Sequence, residues 1–366
     1  MMKQDNKELN NKADSLHSIL LSIIIPIFNA EKHLQTLIEV LAKQIVLNEP
    51  NFEIFMVDDG PTDNSASIIK DFQNIYTNIH YIYQDNAGMT VARNNGMDRA
   101  RGEYIYMMDQ DDVMVPNTLI PFTKFAKEQN SDVLLFQFKK IKPEEKLGWE
   151  EKLQTKPQVI EVTDGAKYIE ANDGLMHTDV GAPPWSNIYS RKFLQNNGLR
   201  FEMYKMYFED TIFNWKVFVK AKKVVILSNI VYYWIQYPTS ESHTREFDRR
   251  LAKHINDVKA SILMKQLAQQ IKKEYPNRPL LYQLAMGASY EFQFILWAFA
   301  IKNKGLDHKT AIRLLREGKQ NGAYPISHMM PDMMDYPSKA KILYFLISWE
   351  PILRLMLLLR STKSVK

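Results

Sequence analysis

The segment Met108-Asp109-Gln110-Asp111-Asp112 places two carboxylates two residues apart at the end of an apolar run. Asp109 and Asp111 can converge there on one hard divalent cation. Oxygen ligands suit Mg2+ or Mn2+, which also bind substrate phosphates. The plainer alternative is a solvated acidic turn that caps the following helix. A second acidic pair, Asp58-Asp59, precedes Gly60. It reads either as a tight turn closed by an Asx-type hydrogen bond or as an acceptor for the imide N–H of a uracil base. A third pair, Glu209-Asp210, follows Phe208 near the start of a helix expected within residues 204–220.

The elements that must position these groups alternate in type. Ser22 to Phe28 is a continuous, largely β-branched run, as expected of a strand buried on both faces. Leu34, Leu37, Ile38 and Leu41 then mark one face of a helix. Phe52 to Val57 is a second strand ending at Asp58 and Asp59, and Ile68, Ile69, Phe72, Ile75 and Tyr76 recur at helical spacing. Ile79 to Tyr83 is a third strand. Thr90 to Ala100 is a helix whose Ala92, Gly96 and Ala100 make a small-residue packing face, and Glu103 to Met108 is a fourth strand. Asn117 to Gln129 and Asp132 to Phe138 add one more helix and strand. Strands and helices alternating over short connections predict a mostly parallel, Rossmann-like sheet flanked by helices. Ligands bind such sheets outside the carboxyl ends of the strands, so both strand-end acidic clusters belong on the ligand rim.

Beyond residue 140 the periodicity weakens. Lys142 to Gln158 is a charged surface excursion, Thr163 to Ile169 opens a helix, and Val224 to Trp234 is strand-like. Residues 246–325 read as mainly helical. The division expected is a flexible lead-in over 1–19, a catalytic α/β domain over 20–245 and a helical C-terminal region over 246–366. The formal charge of +5 is modest and no long basic tract interrupts the body of the chain, so nucleic acid is not an expected partner. With no cysteine, disulfides and thiolate metal sites are excluded. Residues 1–18 are polar, with no apolar core to make a signal peptide, and the apolar run from Leu20 to Phe28 is too short to span a bilayer. A cytoplasmic protein is expected, at most peripheral at the inner face of the cell membrane.

Five segments occur in order: Ser22-IIIPIFNAEKHL-Gln35, Glu53-IFMVDDGPTDN-Ser65, Gln84-DNAGMTVARNN-Gly96, Gly102-EYIYMMDQD-Asp112 and Phe208-Glu209-Asp210. Together they resemble the family 2 glycosyltransferases of GT-A fold, over residues 20 to about 240. The resemblance implies that Pro26, Phe28 and Asn29 line the nucleotide pocket and that Asp59 accepts from uracil. It implies Arg93 near the nucleotide and its phosphates, Asp109 nearer the ribose or donor sugar, and Asp111 as ligand of Mn2+ or Mg2+. Asp210 becomes the catalytic base, oriented by Glu209. Trp185-Ser-Asn187 is similar to the family's acceptor-side Trp motif, although a Lys is common where Asn187 stands. The expected reaction carries a hexose or N-acetylhexosamine from a UDP-sugar to a hydroxyl of a glycan acceptor, lipid-linked or protein-linked, with inversion at the anomeric carbon. The acceptor would be a growing bacterial surface glycan.

The processive Gln-x-x-Arg-Trp motif is missing, so addition of one sugar or a few is expected. His243 and Arg245 are candidates to close over the diphosphate, with His243 a further metal contact; a solvated loop is the alternative. A nucleotidyltransferase would want a Gly-rich basic loop after the first strand, where this chain has Phe28-Asn-Ala-Glu-Lys32. A dinucleotide oxidoreductase would want G-x-G-x-x-G, which does not occur. A non-catalytic sugar-nucleotide-binding scaffold stands as the reading from another class. Residues 338–360 combine apolar and basic side chains around Pro351. They read either as an amphipathic membrane-surface helix or as a helix packed on its own domain or on a second copy in a homo-oligomer.

Overall fold

A computed structural model of the chain describes residues 19–44, 51–145, 156–175, 183–203, 206–237, 247–303, 306–326 and 338–360. The expected lead-in, apart from its last residue, lies outside them. Two compact units interleave along the sequence. The first comprises Met1–Gly165, Asp179–Met203 and Lys220–Tyr237; the second comprises Ala166–Thr178, Tyr204–Val219 and Pro238–Lys366.

The first unit opens as the alternation predicts. Strands β1 (Leu21–Ile27), β2 (Phe52–Asp58), β3 (Ile79–Tyr83) and β4 (Tyr104–Met107) are separated by helices α1 (Leu34–Gln44), α2 (Ser65–Ile75) and α3 (Met89–Arg99). All four strands are parallel, in the order β3-β2-β1-β4. Every residue of β1 and β2 is buried, as central strands covered on both faces require. The small face of α3 has a direct cause: a Cβ on Gly96 would fall 2.4 Å from Ile24 Cγ2, so helix and strand approach too closely for a side chain.

The other half of the sheet is mixed. It is built from β5 (Val113–Met114), β6 (Val133–Ile141), β7 (Val159–Thr163), β8 (Asn187–Ser190) and β9 (Val224–Ile235), with α4 (Leu119–Glu128) before β6. The sheet of nine strands continues β4-β8-β6-β9-β5, and β7 joins along β9. β8 runs antiparallel to both β4 and β6, whereas β6 and β9 are parallel. Parallel order therefore ends at β4, because the chain returns through the short antiparallel β8.

The second unit is helical: α5 (Gly165–Ala171, all but its first residue), α7 (Glu209–Lys220, all but its last), α8 (Phe247–Glu274), α9 (Pro279–Asn303), α10 (His308–Gln320), α11 (Ser338–Ser348) and α12 (Glu350–Arg360); α6 (Arg191–Asn196) belongs to the first unit. Residues 166–175 and 206–219 pack with the C-terminal helices. Tyr168 stacks on Phe218 at 5.1 Å, Phe208 on Phe292 at 4.0 Å, and Tyr275 donates to the Val219 carbonyl at 3.0 Å. Pro279–Lys302 is long and apolar enough to cross a membrane, yet 89% of its most apolar window is buried. A helix apolar all round and covered all round is a core helix. Ser261 and Ser289 exchange hydroxyl-to-carbonyl bonds of 2.8 and 2.7 Å, which hold α8 against α9.

Candidate active site

The strand order reverses direction of growth between β1 and β4, the switch point where open α/β sheets leave a crevice. Pairing of β1 with β4 stops at Ile24–Met107, while β1 stays paired with β2 to Ile27–Asp58. Pro26 explains part of this splay. It shares the parity of Ile24, whose carbonyl accepts from Met108 N–H at 3.0 Å, so its missing N–H faces the β4 side. Phe28 has the same parity, and its backbone is taken up by a side chain. Phe28 N–H donates to Gln110 Oε1 at 2.8 Å and Gln110 Nε2 donates to the Phe28 carbonyl at 3.0 Å. The Gln110 amide thus replaces a missing strand residue and ties the acidic turn to the tip of β1.

Gln110 was not singled out in the sequence, where it is only the spacer between two aspartates. Its role depends on the splay of β1 from β4. Gln110→Ala should leave the fold intact and raise the donor KM several-fold, the effect of about 0.5–1.5 kcal/mol for each lost bond. An unchanged KM in steady-state kinetics would contradict that role.

Arg93 and Asp109 meet across the rim. The fully buried Arg93 guanidinium lies 2.8 Å from Asp109 Oδ1 and sits over the Phe201 ring at 5.3 Å. Asp111 has less compensation. Burial, and then the charge of Asp109, push its carboxyl up to about 6. Asp112 is structural: it is buried, its Oδ1 accepts from Ile235 N–H at 2.8 Å, and its Oδ2 pairs with Tyr232 Oη at 2.7 Å. Burial, followed by Asp109 and Asp111, holds the Asp112 carboxyl well above the usual carboxylate range.

Asp59 sits on the neighbouring tip. Its Oδ1 accepts from Gln84 Nε2 and Ala87 N–H, both at 2.8 Å, and its Oδ2 from Gly88 N–H at 2.9 Å. Gly88 precedes α3, so Asp59 anchors the start of the helix that carries Arg93. A base N–H would have to share a carboxylate already engaged with this loop. Asp58 is buried below it and accepts from Tyr81 Oη at 2.6 Å, while its other oxygen is buried with no partner. Burial raises its carboxyl. Asn29 is exposed, in the left-handed region at φ 49°, and its Oδ1 accepts from Thr62 N–H at 2.8 Å. Phe28 is 44% exposed, a large apolar ring open on the rim. Pro26 is buried within β1 and shapes the splay rather than offering a surface.

Trp185 and Asn187, the acceptor-side candidates, are both buried in the first unit. Trp185 is 5% exposed and stacks on Tyr232 at 4.4 Å, with Phe138 edge-on at 4.6 Å. Asn187 is fully buried, and its Nδ2 donates to the Pro183 carbonyl and to Tyr189 Oη, both at 3.1 Å. Both brace the sheet beneath the acidic turn, because β8 is an interior strand. His243 and Arg245 lie outside the described residues.

Glu209 and Asp210 belong to the second unit, half-buried in the first turn of α7. The helix dipole favours negative charge there. The residues just before them are held firmly. Phe208 stacks on Phe292, Tyr207 N–H donates to Asp257 Oδ1 at 3.4 Å, and Asp257 Oδ2 pairs with His254 Nδ1 at 2.8 Å.

Among the described residues, no group of three or more His, Asp or Glu side chains converges to hold a metal. Asp111 and Asp109 nonetheless fit one. A half-buried carboxylate raised by a neighbouring negative charge is stabilised by a divalent cation. Mg2+ or Mn2+ bound by one or two carboxylates completes its shell with water and substrate phosphates.

The sheet and its flanking helices have the GT-A fold. Residues 22–196 match the model of glycosyl transferase family 2. The chain is 28% identical over 226 residues to the uncharacterized glycosyltransferase EpsJ of Bacillus subtilis (strain 168), which covers 60% of this chain and 62% of EpsJ. It is also 28% identical over 214 residues to the poly(ribitol-phosphate) beta-N-acetylglucosaminyltransferase TarS of Staphylococcus aureus (strain Mu50), which covers 58% of this chain and 35% of TarS. The crystal structure of S. aureus TarS 1–349 in complex with UDP-GlcNAc superposes with a TM-score of 0.61 at 21% identity, over 92% of this chain and 90% of that one.

Proposed function

We propose that the protein is an inverting glycosyltransferase that moves a hexose or N-acetylhexosamine from a UDP-sugar to a hydroxyl of a glycan acceptor. The acceptor is lipid-linked or protein-linked, and the product belongs to a surface polysaccharide or glycoconjugate. The observation that carries this reading is the rim at the β1–β4 switch. There one buried arginine, two carboxylates and an open aromatic ring surround the place where α/β sheets take ligands. The relatives' names support it, since TarS is named for transfer of N-acetylglucosamine to poly(ribitol-phosphate).

The chain's own residues then divide the work. Phe28 and Asn29 receive the nucleotide, with Asp59 as the acceptor beside the base. Arg93, paired with Asp109, presents a buried positive charge toward the diphosphate end. Such fixed charge costs no reorganisation when the leaving group becomes more negative. Asp111, with Asp109, would hold Mg2+ or Mn2+, which when bound supplies Lewis-acid neutralisation of the leaving diphosphate. Asp210 takes the proton of the acceptor hydroxyl as attack proceeds; it need not ionise the hydroxyl beforehand. One displacement of this kind inverts the anomeric centre.

The decisive experiment incubates the full chain with a panel of UDP-sugars, with and without Mn2+ or Mg2+, and measures UDP. Release of UDP from one or two donors, only with metal, is the expected result. A scaffold would release none, and a nucleotidyltransferase would form pyrophosphate from a nucleoside triphosphate.

A further inference from the structure

The C-terminal helices α11 and α12 are attached by one face only. On the inner side Tyr344, Ile347, Leu353 and Leu357 are buried, and Tyr324 Oη donates to the Ile347 carbonyl at 2.8 Å. Glu350 pins the break between the helices, accepting from Lys319 Nζ at 2.6 Å and Arg354 Nε at 2.9 Å. The break falls at Trp349, ahead of Pro351, which occupies the first turn of α12. The outer side is apolar and open: Ile342 is 60% exposed, Phe345 69%, Trp349 61%, Leu355 55%, Leu358 57% and Leu359 74%. Ile342 and Phe345 follow helical spacing and form one stripe along α11, with Trp349 open at the break beyond its end. The angle between the helices is 105°, so the pair lies as a bent ledge rather than as one straight rod.

Charge identifies what this ledge meets. Residues 338–366 hold six basic residues (Lys339, Lys341, Arg354, Arg360, Lys363 and Lys366) against the single acid Glu350. Their excess of five equals the formal +5 of the whole chain, so residues 1–337 are balanced. In sequence the positive excess therefore falls at the C-terminus: Lys339, Lys341, Arg354 and Arg360 belong to α11 and α12, and Lys363 and Lys366 lie outside the described residues. On α11, Lys339 and Lys341 fall on opposite flanks of the apolar stripe. A second copy of the chain is a poor occupant, because a two-fold contact would bring the same basic segment against itself.

We propose that α11 and α12 dock the protein on an anionic lipid bilayer surface. The apolar stripe enters the headgroup–acyl boundary, with Trp349 and Phe345 at its aromatic level, while the basic flanks face lipid phosphates. Docking of this kind brings the enzyme to acceptors held at a membrane. It goes beyond the transferase reading and does not depend on it.

The test uses the full chain and sedimentation with vesicles of phosphatidylcholine alone or mixed equally with phosphatidylglycerol. Partitioning at least tenfold stronger onto the anionic vesicles is expected, and it should weaken at high salt as the Debye length shrinks. Phe345→Glu with Leu358→Glu, and separately Lys339→Glu with Lys341→Glu, should each lower it at least tenfold at unchanged melting temperature. The charge pair keeps the test decisive if the apolar pair fails to fold. Equal sedimentation of wild-type chain with both vesicle types, or none with either, would overturn the proposal. So would a wild-type dimer that Phe345→Glu splits without any vesicle binding, which would assign the face to a second copy. No sugar donor is present, so either outcome leaves the transferase reading untouched.

Discussion

Asp210→Asn should retain donor binding and lose transfer by about 10²-fold or more, the magnitude of a removed general base. The substitution keeps the shape of the side chain in the first turn of α7 and the packing that Phe208 and Tyr207 provide ahead of it. What it removes is the oxygen proposed to take a proton from the acceptor hydroxyl. Isothermal titration with UDP should therefore give an unchanged Kd, while single-turnover transfer collapses. Near-full transfer by the variant would place the base elsewhere.

Asp111→Asn should have two opposite effects. Metal-dependent donor cleavage should fall by about 10²-fold or more, because several kcal/mol of charge stabilisation would depend on the cation it is proposed to hold. The metal-free protein, in contrast, should become more stable at neutral pH. The Asp111 carboxyl is raised to about 6 in the folded chain by burial and by Asp109, against about 4 for an unperturbed Asp. The folded state therefore holds the proton more tightly than the unfolded one. Stability is lost as pH climbs from about 4 to about 6, and the penalty is complete above that window. Asparagine carries no such penalty. At pH 7 the variant should melt above the metal-free wild type, by about 2–4 °C for each kcal/mol relieved, and the two should converge near pH 4. Saturating Mn2+ should raise the melting temperature of the wild type alone. Identical melting curves at pH 7 would show that Asp111 is not under electrostatic strain.

Much of the first unit was legible because its signals are local. The runs of β1 and β2 are apolar apart from Ser22 and Glu53, their helices show clear spacing, and Asp58 and Asp109 stand at the ends of those apolar runs. Parallel topology then places the strand ends on one rim without further information. The antiparallel half was not legible in the same way. β8 is four residues long and follows a 3₁₀ turn at Pro184–Ser186, too short for any periodicity to declare its direction. The burial of Trp185 and Asn187 was not legible for the same reason, since it depends on β8 lying between β4 and β6. Gln110 could not be found from spacing at all. Its partners are the backbone atoms of a residue far earlier in the chain, left open where β1 splays from β4 past Ile24.

The interleaving of the two units bears on how this chain can be cut or recombined. A piece ending near residue 245 would keep all nine strands but strand Phe208, Trp215 and Phe218 together with the short helix at Gly165–Ala171. Phe208 would lose Phe292 and the Tyr207 amide would lose Asp257, so the turn bearing Asp210 would have no mould to set it. The C-terminal helices are therefore not a detachable appendage that a gene fusion could exchange. They are inherited together with the turn that carries Asp210, and the smallest portable form of the protein includes both.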